Sequence, residues 1–298
     1  MRRCRYYHHH HYYHHQQRRR ISLLCISFLV VWTVMMSPSR SLFRTSGSKP
    51  KGGGGAAAMA LALSTTATST TLPKQYRILC FGDSLTAGTT AGSYQEYPYA
   101  PHLEKALKET MASPSATTKT TTTTASLDKD AVVDILVRHK GYPGWTADQL
   151  FESASGPGGL STIIQNVQNP SLSLVVLLAG TNDLGYLRKP KDIVDSLIGL
   201  HQLCLQDEGI PNTIAIGIPS SAYQSMNEDA KQAAEETNAL LRNWCETESK
   251  GKSTYFPFPF GYERNSENWS NDGLHLSPKG YEVLGQSLVP VIQKLINC

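Results

Sequence analysis

From residue 77 onward, short apolar runs rich in β-branched residues alternate with segments of helical period. No other feature constrains the fold as much. Residues 77–81, 132–137, 174–178 and 213–218, and more weakly 253–256, have the length and content of strands buried on both faces. Residues 98–110, 191–206, 227–247 and 278–296 carry the helical pattern, with Pro190 and Pro278 suited to first-turn positions. This alternation implies a parallel sheet of about five strands with helices on both faces. Ligands of such sheets bind at the carboxyl ends of the strands, near the topological switch point.

The ends of these runs carry the chemistry. Gly82-Asp83-Ser84-Leu85 follows the first run, and Gly180-Thr181-Asn182-Asp183 follows the third. Asp272-Gly273-Leu274-His275 stands just before the last helix. A serine hydroxyl becomes a nucleophile when an imidazole takes its proton and a carboxylate orients that imidazole. Ser84, His275 and Asp272 supply these three groups. Taken singly, each has an ordinary explanation: Ser84 as a loop serine at a helix start, Asp272 as a turn residue, Asn182 as a helix cap. Asp272 can serve the turn and the imidazole together. His139, in Arg138-His139-Lys140, is the one rival base, since His102 and His201 fall within predicted helices. Acyl transfer also needs donors for the developing oxyanion. Candidates are the Ser84 N–H, the Asn182 side-chain amide and the N–H of Gly144, which lies in the Pro-Gly turn of Gly141-Tyr142-Pro143-Gly144-Trp145-Thr146. Asp183 reads as a local structural carboxylate.

Ser84, Gly144, Asn182 and His275, in that order and with Asp272 three residues before the histidine, make residues 77–288 resemble the SGNH hydrolases, the GDSL esterases and lipases. The resemblance implies a three-layer αβα, flavodoxin-like, doubly wound domain. It also implies an esterase that uses Ser84, Asp272 and His275, an oxyanion hole of Ser84, Gly144 and Asn182, and neither metal nor cofactor. The chain is distinct from α/β-hydrolases, whose serine sits in G-x-S-x-G, because Thr86 occupies the second glycine position.

Charge divides the chain unequally. The 298 residues carry a formal +4, yet residues 1–51 hold ten Lys and Arg and no acid. The remaining 18 basic and 24 acidic residues give residues 52–298 a net −6, which argues against nucleic-acid binding. Residues 1–20 are a basic leader rich in His and Tyr, and residues 21–36 form an uncharged, mostly apolar run. That order predicts a signal peptide or a signal anchor, and a secreted or membrane-anchored protein of the secretory pathway. Residues 37–74, rich in Ser, Thr and Gly and free of acids, read as a linker or stem, or as the transit part of a bipartite plastid leader. The hydrolase domain then spans 75–298, interrupted by a Thr-rich insertion at 113–126 that lacks the apolar content to order itself. Cysteine spacing matches no zinc motif, and a Cys204–Cys245 disulfide is left open. Asn268-Trp269-Ser270 is a glycosylation sequon.

The expected function is hydrolysis of a small-molecule or carbohydrate ester, with short-chain or O-acetyl esters favoured. Transfer of the acyl group to a glycan at the same site, and an inactive ester- or glycan-binding module, are the alternatives.

Overall fold

Successive side chains of a strand face opposite sides of its sheet, and the apolar runs divide in that way. Leu79, Phe81, Val175, Leu177 and Ala215 enter one buried cluster, while Ile78, Cys80, Val176, Leu178, Ile214 and Ile216 enter another. The two clusters lie on either side of a single five-stranded sheet in a computed structural model that describes residues 74–112, 133–167 and 171–296. The expected leader, the apolar run and the linker up to residue 73 fall outside the described residues, as does the Thr-rich insertion, while Lys74 opens the first strand. Among the described residues no helix is long and apolar enough to cross a membrane.

The strands are β1 (Lys74–Gly82), β2 (Val133–Gly141), β3 (Leu174–Leu178), β4 (Asn212–Ile216) and β5 (Ser253–Phe256). They pair in the order β2-β1-β3-β4-β5, all parallel. The order is that of the flavodoxin-like doubly wound sheet, with the switch point between β1 and β3. In register, Gly82 at the end of β1 faces Gly141 of β2 on one side and Leu178 of β3 on the other. The loops after these three strands therefore leave the sheet at one level.

The helices, in chain order, are α1 (Ser84–Ala87), α2 (Tyr99–Ala112), α3 (Ala147–Glu152), α4 (Leu160–Asn166), α5 (Thr181–Gly185), α6 (Pro190–Gln202), α7 (Ala222–Met226), α8 (Glu228–Thr247), α9 (Pro278–Ser287) and α10 (Val289–Ile296). Residues of α3, α4, α6 and α8 cover one face of the sheet, and those of α2, α9 and α10 cover the other. Three expectations need revision. The helix expected over 278–296 is two, because Pro290 has no N–H to continue the ladder and instead opens α10. The helix expected over 191–206 runs as α6 to Gln202 and then widens into a π-turn over Leu203–Asp207. The strand expected over 132–137 extends to Gly141 and brings Arg138, His139 and Lys140 into the sheet.

Cys80, Cys204 and Cys245 are free and buried, so Cys204 and Cys245 are not joined. Burial pushes the thiols of Cys80 and Cys245 up to about 12, which keeps them as small apolar groups.

Candidate active site

Backbone crowding determines where Ser84 sits. A Cβ on Gly82 would lie 1.8 Å from the Leu178 carbonyl oxygen, so only glycine lets the end of β1 approach β3 this closely. The Asp83 N–H then donates to that carbonyl at 3.2 Å, and Asp83 Oδ1 accepts the Leu85 N–H at 3.0 Å. This cap opens the single turn α1 with Ser84 as its first residue. Burial pushes the Asp83 carboxyl up to about 7; the Leu85 N–H opposes this, and the nearby Asp183 adds to it.

The turn Asn271–Gly273 brings in the other two groups. Asp272 Oδ1 accepts the N–H groups of Leu274 and His275, each at 3.0 Å, while its Oδ2 lies 2.7 Å from His275 Nδ1. His275 Nε2 lies 3.0 Å from Ser84 Oγ. Burial alone would raise the Asp272 carboxyl. Its bonds to the imidazole and to the two N–H groups outweigh that, and hold it below the usual carboxylate range. An ionised carboxylate only accepts, so in the neutral ring Nδ1 carries the proton and Nε2 is left to accept from the Ser84 hydroxyl. The turn and the imidazole thus share one carboxylate, each through its own oxygen.

Two further bonds lock the His275 turn to the Ser84 loop. The Thr90 hydroxyl donates to the Leu276 carbonyl at 3.2 Å, and the Tyr281 hydroxyl donates to the Thr89 carbonyl at 2.6 Å. Ser277 caps α9 directly behind His275, with Pro278 in the first turn. The Tyr281 contact joins residues 192 apart in sequence, and nothing local in the chain announces it.

Gly144 and Asn182 stand on the loops to either side, after β2 and β3. Gly144 is exposed at φ +81, a conformation that residues with a side chain rarely adopt. Its N–H makes no hydrogen bond among the described residues. One N–H of the Asn182 amide donates to the Trp145 carbonyl at 2.8 Å, which holds the amide beside the Gly144 loop and leaves its second N–H unused. Asp183 is fully buried and its Oδ2 accepts the Ala147 N–H at 2.9 Å, in the structural role expected for it. Burial raises its carboxyl to about 6, against the Ala147 N–H and Arg188. Arg188 forms ion pairs with both Asp183 and Asp148, an arrangement that sequence patterns do not reveal.

Of the described histidines, only His275 contacts Ser84. His139 is exposed on β2, opposite Cys80 in register, and His102 lies in α2. His201 is buried in α6, with Nδ1 2.8 Å from the Thr213 hydroxyl. Trp145 stacks on Tyr142 with ring centroids 4.5 Å apart, and both pack against the core cluster of Leu79 and Phe81. Asn268 is half-buried beneath α9, where its carbonyl accepts the Ser277 N–H at 3.0 Å.

Comparison with known proteins bears on the family and the fold. Residues 80–283 match the model of the GDSL-like lipase/acylhydrolase family. No curated protein matches the chain. Among solved structures, a carbohydrate acetylesterase family member from Sinorhizobium meliloti superposes with a TM-score of 0.52 at 19% identity, covering 75% of this chain and 100% of that one. An aryl esterase from M. smegmatis, in an inhibitor-bound form, gives a TM-score of 0.52 at 21% identity, covering 74% and 99%. A carbohydrate esterase family 3 protein from Talaromyces cellulolyticus gives 0.50 at 18% identity, covering 74% and 98%.

Proposed function

The chain belongs to the GDSL-like lipase/acylhydrolase family, a family of ester-hydrolysing enzymes, and from that premise we propose that it is a serine esterase working through an acyl-enzyme on Ser84. The observation that carries the reading is the continuous relay from Ser84 Oγ to His275 Nε2 at 3.0 Å and from His275 Nδ1 to Asp272 Oδ2 at 2.7 Å.

In the proposed mechanism Ser84 Oγ attacks the ester carbonyl carbon while His275 Nε2 takes the hydroxyl proton. Asp272 keeps the ring in the Nδ1–H tautomer and stabilises the imidazolium that forms. The carbonyl oxygen, now negative, is held by the N–H groups of Ser84 and Gly144 and by the free N–H of the Asn182 amide. The tetrahedral adduct collapses, the C–O bond to the alcohol breaks, and His275 returns the proton to the departing alkoxide. Water then attacks the acyl-enzyme with His275 again as base, releasing a carboxylic acid and restoring Ser84.

For the substrate we propose a short acyl ester, an O-acetyl group on a carbohydrate above all. A carbohydrate acetylesterase family member and a carbohydrate esterase family 3 protein share the fold, which supports this reading. The test is a hydrolysis panel of p-nitrophenyl acetate, butyrate and palmitate beside acetylated xylan, with Ser84→Ala as control. Turnover of acetate and acetylxylan that disappears in the variant is the expected result. Preference for palmitate overturns the short-acyl assignment, and no turnover by folded protein overturns the esterase reading.

A further inference from the structure

The Asn182 amide sits at the start of α5, and the segment after that helix is unusual. Leu187 adopts φ +53 although it is not glycine, and its side chain is exposed. No packing of the side chain accounts for that backbone. What the reversal does is bring the chain back on itself: the Arg188 N–H donates to the Asp183 carbonyl at 3.2 Å. The Arg188 guanidinium then spans two carboxylates. Its Nε lies 3.6 Å from Asp183 Oδ1, and its terminal nitrogen pairs closely with Asp148 in the first turn of α3. Asp148 also accepts the hydroxyl of Thr146, which precedes α3.

Two loops are joined by this network. One carries Gly144 and Trp145 and runs into Thr146, Ala147 and Asp148; the other carries Asn182 and Asp183. Between them run the Asn182 amide to the Trp145 carbonyl, the Ala147 N–H to Asp183 Oδ2, and the Arg188 bridge. Asp183 is the central member. A fully buried carboxylate needs a positive partner to stay ionised and to remain a strong acceptor. Arg188, one-quarter exposed, is the cation paired with it, and its fork suits a double contact that a lysine ammonium reproduces only in part.

We propose that Arg188 is a positioning residue for hydrolysis: by pairing with Asp183 and Asp148 it fixes the Asn182 amide where the oxyanion forms. The inference rests on the assignment of Asn182 to the oxyanion hole. Donors of this kind act only when held within a fraction of an ångström of their working position. Loosening the bridge therefore acts on kcat more than on KM.

The test is a double-variant cycle on the whole protein, with kcat, KM and thermal midpoint measured for each form. Arg188→Gln should lower kcat by roughly tenfold while KM stays within about twofold, and Arg188→Lys should recover part of the loss. In an Asn182→Ala background the same Arg188→Gln change should lower kcat by less than about twofold, because the group it positions is gone. Asp148→Asn removes the outer anchor at a partly exposed position, serves if Arg188→Gln folds poorly, and should show the same dependence on Asn182. Equal factors in both backgrounds overturn the proposal, as does a lower thermal midpoint with kcat unchanged. If Asn182→Ala alone leaves kcat unchanged, the oxyanion assignment itself falls and the inference with it, an outcome distinct from additivity.

Discussion

Two histidines of this protein each meet a hydroxyl, and they differ in everything else. At the carboxyl edge of the sheet, His275 reaches Ser84 Oγ at 3.0 Å and has Asp272 on its other nitrogen. In the core, His201 Nδ1 lies 2.8 Å from Thr213 Oγ1, which lies 2.7 Å from Ser253 Oγ. The core chain even ends in a serine. Yet burial pushes His201 down to about 3, no carboxylate faces it, and the whole chain is shut off from solvent. Contact with a hydroxyl does not make an imidazole a base. A carboxylate on the far nitrogen and a ring not shut away from solvent do.

The contrast can be broken most directly at the two rings. His275→Ala should cost kcat roughly 10⁴-fold or more and leave the thermal midpoint nearly unchanged. Adding Ser84→Ala to it should cost little further, because the two act as one unit. Asp272→Asn should come next, at roughly 10²–10⁴-fold, because an amide no longer enforces the tautomer. His201→Ala should do the opposite, costing about 2–4 kcal/mol in chemical denaturation with kcat of the folded enzyme unchanged. A fall in turnover there comparable to that of His275→Ala would erase the distinction.

A finer test uses the carboxylates. Asp272 at the edge is held below its usual range, while the buried Asp83 and Asp183 are raised to about 7 and about 6. Raised carboxyls bind protons in the folded state at pH values where the unfolded chain has released them. Their stabilisation is therefore complete below about pH 4 and is lost as pH rises through 6 and 7. The thermal midpoint should fall between pH 5 and pH 8 by several degrees, at roughly 2–4 °C per kcal/mol for a domain of this size. Asp83→Asn should flatten that slope, and an unchanged slope in the variant would detach Asp83 from it. Smallest of all, Gly144→Ala should cost about 1–2 kcal/mol of stability through backbone strain alone, since a Cβ there meets no atom within 4 Å. Denaturation midpoints would show it.

Much of this was legible in the chain. The apolar runs mark all five strands, because a strand covered on both faces needs continuous apolar content, and β3 and β5 have the bounds expected of them. The long helices are legible through their period. The short helices α3 and α4, of six and seven residues, hold too few turns for a period to register. The site motifs lie at strand ends, where the fold places ligands, so Ser84 and Asn182 stand out by their position in the chain. Arg188 does not. Its partners are fixed by a left-handed turn at Leu187 and by the packing of α3 against α6, and neither leaves a mark in local composition. The state of Cys204 and Cys245 is likewise a matter of three-dimensional separation.

One consequence of the relay concerns time. Ser84 and His275 are 191 residues apart. During synthesis at ~5–20 residues per second, the serine leaves the ribosome roughly ten to forty seconds before the histidine does. The sheet that displays Ser84 needs only β1 to β3 to define its edge, whereas the base arrives on a turn steadied by α9. On the proposed mechanism a nascent chain therefore carries Ser84 before it carries the base. Turnover by that mechanism requires α9 in place, with the Tyr281 hydroxyl on the Thr89 carbonyl, so onset of activity would report the docking of that helix.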